Sequence, residues 1–313
     1  MKFGIQIEPQ FGFEYNEVLD ISKVCLKNGF QSLWFSDHFM LDSNSTDKTL
    51  LDPWLLMTAL ARDNKEIRIG SLVFCNSYRN PALHAKMAST LDVLSNGRLE
   101  FGIGAGWKRI EYEAYGFDYP DDMTRINQLA EAIQIIRKIW SEDRVTFHGR
   151  YYMIKELISY PKPIQSPHPT IWVGTMYGRK HMLEVAAKYG DGINLAWSFS
   201  PAKLSKIFTH LDSLRRTYHP SNNIKKSVGF WTRFFRSQKE MEEAIISEAK
   251  KRNIPLESYR ERVSSSLWGT SDMIVDRLKE YEHLDVSHAI LMFPHKDEID
   301  QAKIFGKEVL PSL

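Results

Sequence analysis

The sequence predicts an α/β protein: one (β/α)8 TIM barrel domain over residues 1–313, with an insertion before strand five and an extra helix before strand eight. Three observations carry that reading. Eight short apolar runs recur along the chain, amphipathic helical patterns lie between them, and no low-complexity or linker-like stretch divides the sequence. Strands alternating with helices build parallel sheets, and eight such units favour a closed barrel over an open doubly wound sheet.

The strand-like runs are 3-FGIQIE-8, 32-SLWFS-36, 67-IRIGSLVF-74, 98-RLEFGIG-104, 170-TIWVG-174, 192-GINLAW-197, 227-SVGFWTRFF-235 and 288-HAILMF-293. Several are apolar on successive residues, as strands covered on both faces must be. Among the helices, 126-INQLAEAIQIIRKIW-140 puts Ile126, Leu129, Ile133, Ile136 and Trp140 on one face. The segment 179-RKHMLEVAAKYG-190 ends in a glycine suited to a C-cap, and Ser271 can cap 271-SDMIVDRLKEYE-282. Two stretches break the rhythm. Residues 141–168, with Pro161, Pro163 and Pro167, read as an inserted loop before the fifth strand, and residues 252–268 precede the extra helix.

Bulk composition excludes several functions. Lys and Arg number 41 against 39 Asp and Glu, a net charge of +2, without a long run of like charge. That balance argues against a nucleic-acid partner or a membrane surface. No apolar run approaches the roughly 20 residues a membrane span needs, and the N-terminal MKFGIQIEPQ lacks the apolar core of a signal peptide. The two cysteines have no C-x-x-C spacing and the ten histidines no paired-ligand spacing, so neither a disulfide framework nor a metal site is expected. A cytoplasmic enzyme with a small-molecule substrate is the expectation.

In a barrel, the residues just after each strand form the active-site face. Those after the second strand are 36-SDHF-39, where Asp37 and His38 supply a carboxylate and an imidazole, or alternatively a loop acid and a surface histidine. The turn 174-GTMYGR-179 sets small residues and a hydroxyl before a helix N-terminus, where backbone N–H groups and Arg179 suit an anion. The stretch 97-GRLEFGIGAGWKRIEY-112 spaces glycines at 102, 104 and 106. A dinucleotide-binding turn would need a helix opening at the third glycine and an acid closing a second strand about 20 residues on. The sequence instead enters the loop 115-YGFDYPDDMTR-125, so the fingerprint fails. Glycines that clear the barrel lumen leave room for a planar ligand.

These residues resemble the bacterial-luciferase-like superfamily of flavin- and deazaflavin-dependent oxidoreductases. The likeness runs through 32-SLWFSDHF-39, 52-DPWLLMTALA-61, 81-PALHAKMASTLDVLSNGRLEFGIGAGW-107, the Glu111-Tyr112 pair, Gly116, Arg125 and Trp140, then 161-PKPIQSPHPTIWVG-174 and 185-VAAKYGDGIN-194. It implies a barrel binding coenzyme F420 or, alternatively, FMN at the strand C-termini. The Ser36-Asp37-His38 motif and the run 172-WVGTMYGRKHMLEVAAKYGDG-192 lean toward F420. By the same resemblance, strand three carries a non-prolyl cis peptide at Ser71-Leu72 or Leu72-Val73, pressing on the ring. Gly104, Gly106 and Trp107 would shape the pocket, and Gly174, Thr175, Gly178 and Arg179 would hold phosphate. His38 would act as acid or base, Asp37 would hydrogen-bond the cofactor head group or orient its neighbour, and Trp197 would be a wall of the substrate site. Some relatives carry Glu directly after the Gly-x-Gly of strand four. Here that residue is Trp107, and the nearest acid, Glu111, either donates a proton or caps the next segment. The implied activity is hydride transfer between F420 and a small organic substrate. The alternatives are an FMN-dependent monooxygenase using reduced flavin and oxygen, and a flavin-binding barrel without catalysis. A homodimer is the family expectation.

Overall fold

Eight parallel strands close on themselves in the computed structural model, which describes residues 1–313. They are β1 (Lys2–Ile7), β2 (Ser32–Phe35), β3 (Arg68–Ser71) with its continuation β4 (Phe74–Cys75), and β5 (Leu99–Gly104). After the insertion, which carries β6 (Val145–His148) and β7 (Met153–Leu157), come β8 (Ile171–Thr175), β9 (Gly192–Leu195) and β10 (Lys225–Phe234). A short β11 (Leu267–Gly269) precedes β12 (His288–Met292). Closure is by β1 against β12, with Gly4 beside Ile290, and β12 in turn lies along β10.

Local sequence chemistry starts the surrounding helices. Asp52 accepts from the Leu55 amide at the head of α2 (Pro53–Asp63), after α1 (Tyr15–Lys27) opens with a Glu14–Glu17 capping box. Asn80 does the same for α3 (Pro81–Leu94). The short α4 (Arg109–Tyr115) is followed by α5 (Asp122–Ser141), capped by Asp121, then α6 (Lys180–Tyr189) and α7 (Pro201–Tyr218), capped by Ser200. Proline suits the first position of α2, α3 and α7 because its fixed φ is helical and no donor is lost there. The chain finishes with α8 (Gln238–Lys251), α9 (Leu256–Ser264), α10 (Ser271–Glu282) and α11 (Glu298–Ile304).

Four details depart from the sequence reading. The insertion contains the antiparallel β6–β7 hairpin rather than loop alone. The segment after β10 holds α8, α9 and β11 as well as the anticipated α10. Thr270, not Ser271, stands at the α10 cap position, and the Ser271 hydroxyl is turned to Glu308. Gly190 ends α6 without the left-handed conformation (φ −83°). Its reason for being glycine is proximity, since a Cβ there would lie 2.9 Å from the Ala186 carbonyl oxygen.

The lower half of the lumen is plugged by side chains. Trp34 and Trp172 meet edge to face at 6.2 Å, joined by Leu72 and Ile290. Their indole N–H groups are satisfied by Ser32 Oγ and Glu100 Oε2, both at 2.8 Å, and Arg68 neutralises Glu100 at 2.6 Å. The plug leaves only the C-terminal mouth open for a ligand. No helix is long and apolar enough to cross a membrane.

Candidate active site

That mouth holds a cavity of about 630 Å³, within the usual range for a cofactor-sized site. Its floor is the break between β3 and β4, where the Leu72–Val73 peptide is cis. Val73 projects into space that two glycines vacate: a Cβ on Gly104 would lie 2.8 Å, and one on Gly174 2.7 Å, from its methyl groups. These glycines therefore make room for Val73, and a flat ligand would rest on Val73 rather than in the gaps. Gly106 has a different reason, a φ of +80° and the Tyr112 hydroxyl 1.9 Å from where a Cβ would stand.

His38 lies on the cavity wall, edge-on to Trp107 with ring centroids 5.8 Å apart. Its Nδ1 is 2.9 Å from Glu111 Oε2. Glu111 is wholly enclosed and does not line the cavity. It also accepts from Tyr78 Oη at 2.8 Å and from the backbone N–H groups of Phe39 and Met40, with Lys108 Nζ at 3.3 Å. Burial pushes the Glu111 carboxyl upward, but the hydrogen bonds from His38, Tyr78 and Met40 outweigh it and hold it at about 2. Glu111 is thus a fixed anion that leaves His38 Nε2 directed away from it.

Asp37 is also buried, and both of its oxygens are taken. Arg79 binds it through two nitrogens at 2.7 and 3.2 Å, and the Cys75 amide donates at 2.9 Å. Arg79 reaches Asp52 at 3.0 Å as well, so burial opposes its charge while two carboxylates restore it and raise its pKa. This ion triad ties the loop after β2 to the β4 end and to the head of α2.

The anion-binding turn is placed only in part as anticipated. Gly174, Thr175 and Arg179 line the cavity, whereas Gly178 packs behind it against Ile207. Arg179, 61% exposed, pairs with Asp122 at 2.8 Å. The first turn of α6 has no side-chain cap; the Met182 amide is taken by the Arg179 carbonyl at 3.0 Å, which leaves those of Lys180 and His181 for a ligand. Ser71 stays out of the cavity: it clips β3 to β5 by donating to the Gly102 carbonyl (2.7 Å) and accepting from the Gly102 amide (3.0 Å). Leu72, Trp107 and Trp197 are cavity walls.

Sequence reasoning missed two groups. Gln6 and Gln10 both donate to Glu8, which faces the cavity at the end of β1, and Ser36 Oγ donates to Gln10 at 2.9 Å. Polar residues at alternate positions of an otherwise apolar strand, 5-IQIEPQ-10, were the available signal. Arg125, nearly buried, bonds Asp122 at 2.5 Å and lies 4.1 Å from the Tyr119 ring centroid. It also carries a donor to the Gly106 carbonyl; Arg125 belongs to the family likeness, but nothing in the helical periodicity of α5 placed it in the site.

The residues present fit a tricyclic cofactor with a phosphate chain: an apolar Val73 floor, glycine-lined walls and uncapped helix amides at one end. Comparison with known proteins accords with this geometry. The chain is 27% identical over its whole length, and over 97% of the relative, to an F420-dependent glucose-6-phosphate dehydrogenase of Microbacterium testaceum. It is 23% identical, over 86% of its length and 80% of the relative, to the oxygenase component of a flavin-dependent trigonelline monooxygenase of Acinetobacter baylyi. Among solved structures, an F420-dependent secondary alcohol dehydrogenase bound to an F420-acetone adduct superposes with a TM-score of 0.82 at 20% identity, over 99% of this chain and 98% of that one. The luciferase-like monooxygenase family model matches residues 1–288, and the chain belongs to that family.

Proposed function

We propose that this protein is an F420-dependent oxidoreductase that moves a hydride between the deazaflavin and a small organic substrate. The observation that carries the reading is the His38–Glu111 pair, set at the wall of a cavity whose floor is Val73. The F420-dependent relatives support the choice of coenzyme.

F420 supplies a carbon centre that accepts or gives two electrons as hydride and leaves proton management to the protein. Glu111 holds the Nδ1–H of His38, which fixes the tautomer and leaves Nε2 to take a proton from, or give one to, a substrate oxygen. Glu111 acts through His38 rather than on substrate, because it is sealed from the cavity. Asp37 likewise positions: through Arg79 and Cys75 it locks the loop that presents His38. Val73 and Leu72, with Gly104 making room behind Val73, would support the ring system, Gly106 and Trp107 would bound the pocket, and Gly174, Thr175 and the free α6 amides would hold the phosphate. Trp107 and Trp197 keep water from the reacting atoms.

We read residues 1–313 as one functional domain, because a single cluster of 62 buried apolar residues runs from Phe3 to Val309. Two free, buried cysteines accord with a reducing cytoplasm. Exposed Leu55 on α2 with Leu83 and Leu94 on α3 support a homodimer, which light scattering would test.

The cofactor is tested by titrating the protein with F420 and, in parallel, with FMN, following quenching of its eight tryptophans. Micromolar F420 binding with FMN ignored is expected. Tight FMN binding without F420 binding would move the protein to oxygen-using flavin chemistry.

A further inference from the structure

The C-terminal third of the chain builds a second chamber of about 330 Å³ beside the main cavity. Met176, Tyr177, Ala196, Trp197 and Trp231 line both, so the two spaces communicate. Its far wall comes from the first turn of α7, from α9 and from β11.

Two features set this chamber apart. Its lining includes three cations, Lys203, Arg252 and Arg262, and no carboxylate or carboxamide. Arg252 is held by Glu248 at 3.0 Å, but Lys203 and Arg262 have no acidic partner. Each lies against an aromatic ring, Lys203 Nζ 4.7 Å from the centroid of Phe199 and Arg262 Cζ 5.2 Å from that of Trp231. Ring contacts hold such side chains in place without neutralising them. The second feature is the walls: six of the fifteen lining residues are aromatic. The serine hydroxyls are largely committed, Ser266 donating to the Val263 carbonyl and Ser198 accepting from the Trp231 amide.

We propose that this chamber binds the anionic end of the substrate, a carboxylate or phosphate carried on a flat, apolar body. The inference rests on the oxidoreductase reading of the adjoining cavity and names the class of molecule presented to His38. Charge selects the anion, because two uncompensated cations share a partly enclosed space. Shape selects the body, since aromatic walls reward planar apolar surface. A polyhydroxylated sugar fits less well. Its hydroxyls need acceptor side chains, and the chamber offers neither carboxylates nor carboxamides.

The test uses 2-naphthoate, its neutral counterpart 2-naphthalenemethanol, and glucose 6-phosphate as probes. Each is titrated by calorimetry into the F420-loaded wild-type protein and a Lys203→Ala/Arg262→Ala variant. The expected result is that naphthoate binds the wild type and weakens at least about tenfold in the variant, the loss expected for charge-assisted contacts. The neutral alcohol should bind both proteins alike, and glucose 6-phosphate should bind more weakly than naphthoate. Equal naphthoate affinity in the two proteins, or tighter binding of glucose 6-phosphate, overturns the proposal. F420 is titrated into the same pair before loading. If its affinity falls tenfold with the two cations, the chamber holds the coenzyme's own acidic tail, and the substrate assignment is overturned. If F420 fails to bind the wild type, the oxidoreductase reading fails, while charge-dependent naphthoate binding to the unloaded protein would still establish the anion chamber.

Discussion

The two sides of the barrel mouth use charge in opposite ways. Around the loops after β2, β4 and β5, every buried charge has its partner: Glu111 with His38 and Lys108, Asp37 and Asp52 with Arg79. Across the mouth, where α7 begins and α9 and β11 pack, Lys203 and Arg262 stand over aromatic rings without a counter-charge. Paired charges in a dry interior fix geometry and are costly to break singly. Unpaired cations at a wet opening cost little and are available to a ligand. The first side is therefore built to position a reacting group, and the second to receive one.

Breaking the positioning side should give the largest effects. His38→Ala is expected to lower turnover about 10²- to 10⁴-fold, the usual range for losing a general acid or base. F420 affinity should change less than about threefold, measured by fluorescence titration. Turnover near wild type would remove His38 from the chemistry. Arg79→Ala leaves Asp37 buried without a counter-charge and should cost about 3–5 kcal/mol of stability in urea unfolding. A loss below about 1 kcal/mol would mean that the triad is ornamental.

Acid should discriminate the two sides next. Glu111 has a folded pKa of about 2 against an ordinary 4.5. Its contribution is fully present above about pH 4.5 and is lost as pH falls through about 2, on the order of 3 kcal/mol in all. Glu111→Gln should flatten that limb of the stability curve, and an unchanged acid limb would contradict the pairing. On the receiving side, Lys203→Ala/Arg262→Ala should shift stability by no more than about 0.5 kcal/mol, as for surface changes away from buried networks. The smallest effect is expected at Arg179→Ala. That guanidinium is exposed and paired with Asp122, so F420 affinity should weaken less than about threefold. A tenfold loss would restore Arg179 as the main phosphate ligand.

How much of this was legible in the sequence follows the same divide. Barrel strands carry continuous apolar runs, so strand positions could be read directly, whereas the one helix N-cap the sequence suggested, Ser271, gives way to Thr270. His38 and the 102–106 glycines stood out because local residue type alone marks a strand end. The pairings did not: Glu111 is legible as a candidate acid, but it lies 73 positions from His38 in sequence, and only the closed barrel brings them to 2.9 Å. Arg79 follows a two-residue strand and reads as an ordinary loop cation until Asp37 and Asp52 surround it. The aromatic chamber adds Trp231 and Trp268, which alone read as core, to Trp197, the wall the sequence suggested.

The most direct test of the account is to mix the protein with oxidised F420 and a panel of alcohols carrying aryl carboxylates, and follow loss of the deazaflavin absorbance with and without oxygen. The account predicts bleaching by at least one alcohol, independent of oxygen and abolished by His38→Ala. Oxygen consumption with FMN and NAD(P)H in place of that bleaching, or bleaching that survives His38→Ala, would contradict it.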